Sequence, residues 1–95
     1  MSSILSDTRK ELIEENEEEA KRGIEKALEK WHEANETLVI YIEHADIEKT
    51  EMYITEAKSY IETKEYTMAV QSVDTSIFLL EHFKDKYKFT LKNIF

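Results

Sequence analysis

Side chains that could hold a cation recur at helical spacing early in the chain, at Glu25, Glu29, His32 and Glu36. Glu29 and His32 form a Glu-x-x-His motif, which places a carboxylate and an imidazole on one helix face. Carboxylate-bridged di-iron bundles use two such motifs and two further glutamates, whereas this sequence has one. The stripe continues to Glu43 and lies beside or opposite the predicted core face. A solvated acidic face is therefore favoured, and a metal or small-ligand site on this stripe is the alternative.

Two other histidines, His44 and His82, lie where the first predicted helix ends and the last one passes. Histidine titrates near neutrality, so a pH-sensing pair is one hypothesis. The simpler interpretation is that each ring is hydrogen-bonded to backbone or to a neighbouring carboxylate, Glu43 or Glu81.

No set of residues is arranged for catalysis. The chain has no cysteine, which excludes a thiolate nucleophile, a disulfide and a cysteine-based metal site. It also lacks a glycine-rich phosphate loop and a Ser/His/Asp order with supporting turns. Ser59, Ser72 and Ser76 lie inside predicted helices with nothing to activate them. The sequence therefore predicts a protein that is not an enzyme and uses no cofactor.

The composition favours one soluble helical domain. The 95 residues include one glycine and no proline, so sheets and long loops, which need turn residues, are disfavoured. The formal net charge of −8 argues against a nucleic-acid partner, because binding to phosphate backbones depends on Lys and Arg. There is neither an apolar run long enough to span a bilayer nor a signal-peptide pattern at the start.

The apolar spacing predicts three helices. Residues 24–45 carry a stripe in steps of three and four, which includes the only tryptophan, Trp31. A mid-helix Gly23 indicates a bend or a tolerated defect, so helix 1 is expected from about Ser3 to His44, roughly 60 Å long. Asp46 is a good N-cap for helix 2, and helix 3 follows the polar residues 62–65. The predicted fold is all-α, an up-down-up antiparallel three-helix bundle with coiled-coil-like packing and no internal repeat.

The predicted helix lengths divide the chain in two. Helix 2 has about 17 residues and cannot cover residues 3–22. Residues 1–22 are therefore expected to form an acidic helical stalk or overhang, and residues 23–95 the bundle domain. Leu5 and Leu12 on the overhang suggest a partner or self-association. Acidic residues 14–19 and the basic segment 84–92 would lie at opposite ends, which favours an antiparallel homodimer.

Several segments together resemble a bacterial family, number 4363 among the domains of unknown function. They are Trp31, LVIYIEHADI at 38–47, YIETK at 60–64, LLEH at 79–82 and FTLKNIF at 89–95. The resemblance covers about residues 19–95, and its most specific part is the terminal Leu-x-Asn-Ile-Phe. It implies a small protein of Gram-positive bacteria, with a membrane-spanning segment that this chain lacks and a helical domain outside the cytoplasm. It implies no activity, cofactor or catalytic residue.

The expected function is that of a non-enzymatic helical domain, an extracytoplasmic module for protein–protein interaction or self-association. Its partner would be another protein or a second copy, and it would meet a membrane only through a segment absent from this chain. Without such an anchor the expected location is the cytoplasm. At the C-terminus, Ile94 and Phe95 are expected to fold back over the apolar residues 38–42.

Overall fold

The computed structural model describes residues 1–87, apart from the side chain of Tyr41. Its helices are α1 (Ser2–Ile13), α2 (Glu17–Tyr41), α3 (His44–Glu62) and α4 (Tyr66–Lys86). The all-α class is confirmed, and no strand occurs within the described residues. The predicted three-helix bundle with a long first helix is wrong, because the chain turns between Ile13 and Glu17.

The turn between α1 and α2 is a Schellman turn built without glycine. The Glu15 N–H donates to the Leu12 carbonyl at 3.1 Å, and the Asn16 N–H donates to the Glu11 carbonyl at 2.8 Å. Glu15 has a φ of 59°, in the left-handed region that usually favours glycine. Neither glycine nor proline marks this turn, so the apolar spacing predicted one continuous helix through it.

The turn between α3 and α4 has the same geometry. Lys64 has a φ of 61°, and its N–H donates to the Ile61 carbonyl at 3.1 Å. The Glu65 N–H donates to the Tyr60 carbonyl at 2.8 Å. The polar residues 62–65 were correctly predicted to separate two helices.

The expected overhang of residues 1–22 is corrected by the packing of α1. Leu5 and Ala20 are fully buried, and Leu12 is 2% exposed. The turn folds α1 back against the bundle, so its apolar stripe is removed from water instead of lining an isolated rod. Residues 1–22 thus supply α1, the first turn and the start of α2 to the same core.

The four helices close into a ring in which α1 and α3 each pack against both α2 and α4. Successive helices run antiparallel. The Arg9 Nε of α1 donates to Asp74 Oδ1 of α4 at 2.7 Å, and His32 Nε2 of α2 lies 2.9 Å from Glu51 Oε1 of α3. The bundle measures 37 × 20 × 19 Å, far shorter than the expected rod.

The two helical hairpins, α1–α2 and α3–α4, share one core register. Buried residues of the first hairpin recur 49 positions later in the second, as Leu5/Ile54, Thr8/Ala57, Leu12/Ile61, Ala20/Ala69, Ile24/Val73, Ala27/Ser76 and Trp31/Leu80. The left-handed residues Glu15 and Lys64 have the same separation. We call positions related in this way pseudo-equivalent. They reveal an internal repeat of hairpins that the sequence analysis did not detect.

Gly23 lies where α1 and α2 approach closely. A Cβ atom at this position would overlap Thr8 Oγ1 and would lie 3.2 Å from Thr8 Cβ. Thr8 is buried, and its hydroxyl donates to the Ile4 carbonyl at 2.8 Å. In the second hairpin the pseudo-equivalent pair is Ala57 and Ser72, so the larger and smaller partners exchange places. Glycine at position 23 therefore allows the close approach of α1 while Thr8 is its partner.

The predicted return of Ile94 and Phe95 onto residues 38–42 falls outside the described residues. Within residues 1–87, none of the helices combines the length and the apolar character needed to cross a bilayer.

Candidate interaction surface

The predicted acidic stripe lies on the solvent side of α2, where Glu25, Glu29, His32 and Glu36 are all exposed. The His32 ring faces Glu51 of α3 and links two neighbouring helices across the surface. Within the described part of the chain, no three His, Asp or Glu side chains are grouped as ligands of one metal ion would be. The arrangement therefore offers single carboxylates and one exposed imidazole–carboxylate pair.

The structure gives the other two histidines separate surroundings. His44 opens α3, and its Nε2 lies 2.8 Å from Glu48 Oε1 one turn later. His82 lies on the exposed side of α4, with its ring centroid 6.3 Å from that of Phe83. The predicted partners Glu43 and Glu81 are replaced by Glu48 for His44 and by a ring contact for His82.

The apolar end of α2, which the sequence analysis singled out, is partly solvent-exposed. Leu38 and Ile42 are buried, whereas Val39 and Ile40 are 53% and 73% exposed. Their neighbours Glu36 and Glu43 are exposed as well. This end therefore presents two apolar side chains within a charged surrounding.

A longer uncharged surface runs along α4 on the side away from its buried residues. It comprises Met68, Gln71, Thr75, Phe78 and His82, and we call it the α4 outer stripe. The alternating steps of three and four place these residues on one line along the helix. Phe78 is 70% exposed and Met68 is 41% exposed, so the stripe presents apolar area directly to solvent.

The pseudo-equivalent line on α2 has the opposite chemistry. Its residues, in the same order, are Glu19, Arg22, Lys26, Glu29 and Glu33, and all of them are charged and exposed. A charged face is the usual solution for a helix that meets only water on that side. The first hairpin therefore carries five charged residues on its outer line, and the second hairpin carries none on the matching line.

A shallow groove borders the α4 outer stripe where α4 meets α1. It is lined by Arg9, Leu12, Ile13, Glu15, Tyr66, Thr67, Val70 and Gln71. Ile13 is 57% exposed at its edge. Burial, followed by the nearby carboxylates of Glu17 and Glu15, raises the pKa of the Tyr66 phenol above its ordinary value. The groove thus combines apolar walls with a phenol that stays protonated at neutral pH.

The α4 outer stripe was not predicted from the sequence, because the apolar residues of this helix fit a core equally well. The available signal was charge. Residues 66–80 contain one charged side chain, Asp74, and the structure pairs it with Arg9.

A family model described as "Domain of unknown function (DUF4363)" matches residues 1–94. The match includes α1 and the first turn, which the sequence analysis had placed outside the domain. No curated protein matches the chain, and neither does any solved structure.

Proposed function

This chain belongs to the DUF4363 family, and we propose that it is a non-enzymatic helical module that binds a protein chain through the α4 outer stripe. The observation that carries this proposal is the contrast between pseudo-equivalent lines. Five exposed charges on α2 correspond to five uncharged residues on α4. Seven buried positions coincide in the two hairpins, so the contrast lies mainly in what each helix presents outward.

The spacing of the stripe suits a helical partner. Apolar or uncharged residues in steps of three and four form the seam along which helices pair in coiled coils and helix-in-groove complexes. Phe78 lies near the middle of the stripe and is its largest exposed side chain. Aromatic residues of this kind commonly contribute most of the binding free energy at protein interfaces.

The proposal is tested with two matched variants. Phe78→Glu places a charge on the stripe, and Ile40→Glu places one at an equally exposed apolar residue on α2. We expect the wild type and Ile40→Glu to retain the same bound protein chain, whether another protein or a second copy, and Phe78→Glu to lose it. Unchanged melting temperatures would show that both variants are folded. Equal loss of binding in both variants, or unchanged binding in Phe78→Glu, would contradict the proposal that the α4 outer stripe is the binding surface.

We also propose, on the resemblance to the family, that the domain acts outside the cytoplasm of a bacterium, held at the membrane by an anchoring segment. Protease treatment of intact cells that produce the native gene product would test this. Digestion of the domain supports an external location, and protection until lysis contradicts it.

A further inference from the structure

We propose that the occupant of the α4 outer stripe is the same stripe of a second copy, paired antiparallel about a two-fold axis beside Asp74 and Thr75. This inference rests on the proposed function of α4 and names its partner. A two-fold pair uses the same patch on both copies, so the patch must be complementary to itself. The α4 surface meets this requirement in shape and in charge.

The shape requirement is met by a protruding ring and a groove on either side of the axis. Phe78 projects on one side, and Gln71, at the edge of the groove formed with Ile13 and Val70, lies two helical turns away on the other. In the antiparallel pair, Phe78 of each copy faces Gln71 of the other. The Phe78 ring of each copy then enters the groove of the other copy, so apolar area is removed from water at two symmetric places.

The charge requirement is met at the two ends of α4. Lys64 lies in the turn that leads into α4, Asp85 lies near the C-terminal end of the helix, and both are exposed. An antiparallel pair therefore brings Lys64 of one copy towards Asp85 of the other, at both ends. A parallel pair would instead set Lys64 against Lys64 and Asp85 against Asp85, which is unfavourable.

At the centre of the dimer, no charged side chain is left without a partner. Asp74 lies beside the axis, but Arg9 of the same copy already holds it at 2.7 Å. Two such ion pairs approaching about a two-fold axis place each Arg9 near both carboxylates. The remaining central residue, Thr75, is small and uncharged and permits a close approach of the two helices.

The size of the seam predicts a weak dimer. About five turns of one helix bury less surface than the interfaces of stable complexes, so we expect a dissociation constant on the order of 10–100 µM. Sedimentation equilibrium of the full chain across this concentration range is the appropriate measurement. We expect reversible monomer–dimer behaviour in the wild type and in Ile40→Glu. Phe78→Glu is expected to stay monomeric at every concentration while it keeps the wild-type melting temperature.

Charge exchange tests the antiparallel direction of the pair. Lys64→Glu and Asp85→Lys each turn two attractive contacts into repulsive ones, and each alone should weaken the dimer about tenfold at low salt. The double variant Lys64→Glu/Asp85→Lys has the wild-type net charge and restores opposite signs, so it should regain the wild-type dissociation constant. An equimolar mixture of the two single variants should form a heterodimer of similar strength. Failure of both restorations would overturn the antiparallel arrangement.

The outcomes separate this inference from the proposed function. A wild type that stays monomeric throughout overturns self-pairing. If another protein then binds the wild type and Ile40→Glu but not Phe78→Glu, the module retains its proposed function with a different partner. A dimer that Ile40→Glu abolishes and Phe78→Glu leaves intact overturns both proposals.

Discussion

The two hairpins of this protein agree in what they bury and differ in what they expose. From Leu5 to Trp31 and from Ile54 to Leu80, seven matching positions are buried in the same order, although only the pair Ala20/Ala69 keeps its residue type. Their outer lines share no such likeness, since α2 is charged where α4 is not. One backbone arrangement is thus compatible with two different surfaces, which indicates that the core and not the outer line determines the hairpin.

The stability of the hairpins does not require their outer lines to differ in charge. Exposed residues on a helix usually contribute a few tenths of a kcal/mol each, so either surface is compatible with the fold. An exposed phenylalanine contributes little to an isolated bundle and raises its tendency to associate. The fold therefore does not account for the contrast, which is the reason that we propose contacts outside the chain.

The largest expected effect comes from the matched core residues Trp31 and Leu80, both fully buried. Trp31→Ala should lower the free energy of unfolding by about 4 kcal/mol and Leu80→Ala by about 3 kcal/mol, because each leaves a cavity in proportion to its lost volume. Urea denaturation of the two variants measures this. A smaller loss for Trp31→Ala would mean that the hairpins do not share the core equally.

Next in size is the close approach of Thr8 and Gly23. Gly23→Ala should cost about 2 kcal/mol, since the new methyl group overlaps the Thr8 side chain and outweighs the gain in helix propensity. Thr8→Ala/Gly23→Ser reproduces the pair found in the second hairpin and should recover most of that loss. Lys26→Ala, exposed on the same helix, serves as the control and should change stability by less than about 0.5 kcal/mol. A more stable Gly23→Ala single variant would exclude the close approach.

A smaller gain is expected at the two left-handed residues. Glu15→Gly and Lys64→Gly should each stabilise the fold by about 0.5–1 kcal/mol, because glycine adopts a φ near 60° without strain. Lys26→Gly, inside α2, should instead cost about 1 kcal/mol. Thermal unfolding at low protein concentration compares the three. A gain at one turn and a loss at the other would show that the turns are not equivalent.

The smallest effect concerns Tyr66 and its pseudo-equivalent residue, Glu17. Burial first, and then Glu17, raises the pKa of Tyr66 in the folded state. The folded protein therefore favours the protonated phenol. Its contribution to stability is complete below the pKa of an unfolded tyrosine, about 10, and is lost as the pH rises through the higher folded pKa.

Glu17→Gln should bring the pKa of Tyr66 closer to the ordinary value. The difference in phenolate absorbance between each protein and its Tyr66→Phe counterpart isolates this one residue. An unchanged titration in Glu17→Gln would leave burial and Glu15 as the causes of the raised pKa.

Much of this fold could be predicted from the apolar spacing. The helical class, the turn at residues 62–65 and the core positions Ile24, Trp31 and Leu38 follow from steps of three and four. The first turn did not follow, because Glu15 and Asn16 give no conformational signal comparable to glycine or proline. A signal was nevertheless available, since the eight-residue step from Leu12 to Ala20 recurs from Ile61 to Ala69 across the second turn.

The candidate surface was harder to predict than the fold. The α4 outer stripe consists of uncharged residues that a three-four pattern assigns to a core as readily as to an interface. Only the position of Val73 and Leu80, buried on the opposite side of α4, shows that Phe78 faces water. The first turn makes α1 and α2 a hairpin like that of α3 and α4. Without that turn, the charged residues of α2 have no pseudo-equivalent positions on α4 with which to be compared.

The closed ring of helices also determines how the chain can fold. Three of its four contacts join helices that follow each other in sequence, and these can form from local segments. The contact between α1 and α4 brings together residues as distant as Arg9 and Asp74, 65 positions apart. Such closure loses the most chain entropy and is expected late in folding. Substitutions at this seam should therefore accelerate unfolding while they leave the folding rate nearly unchanged.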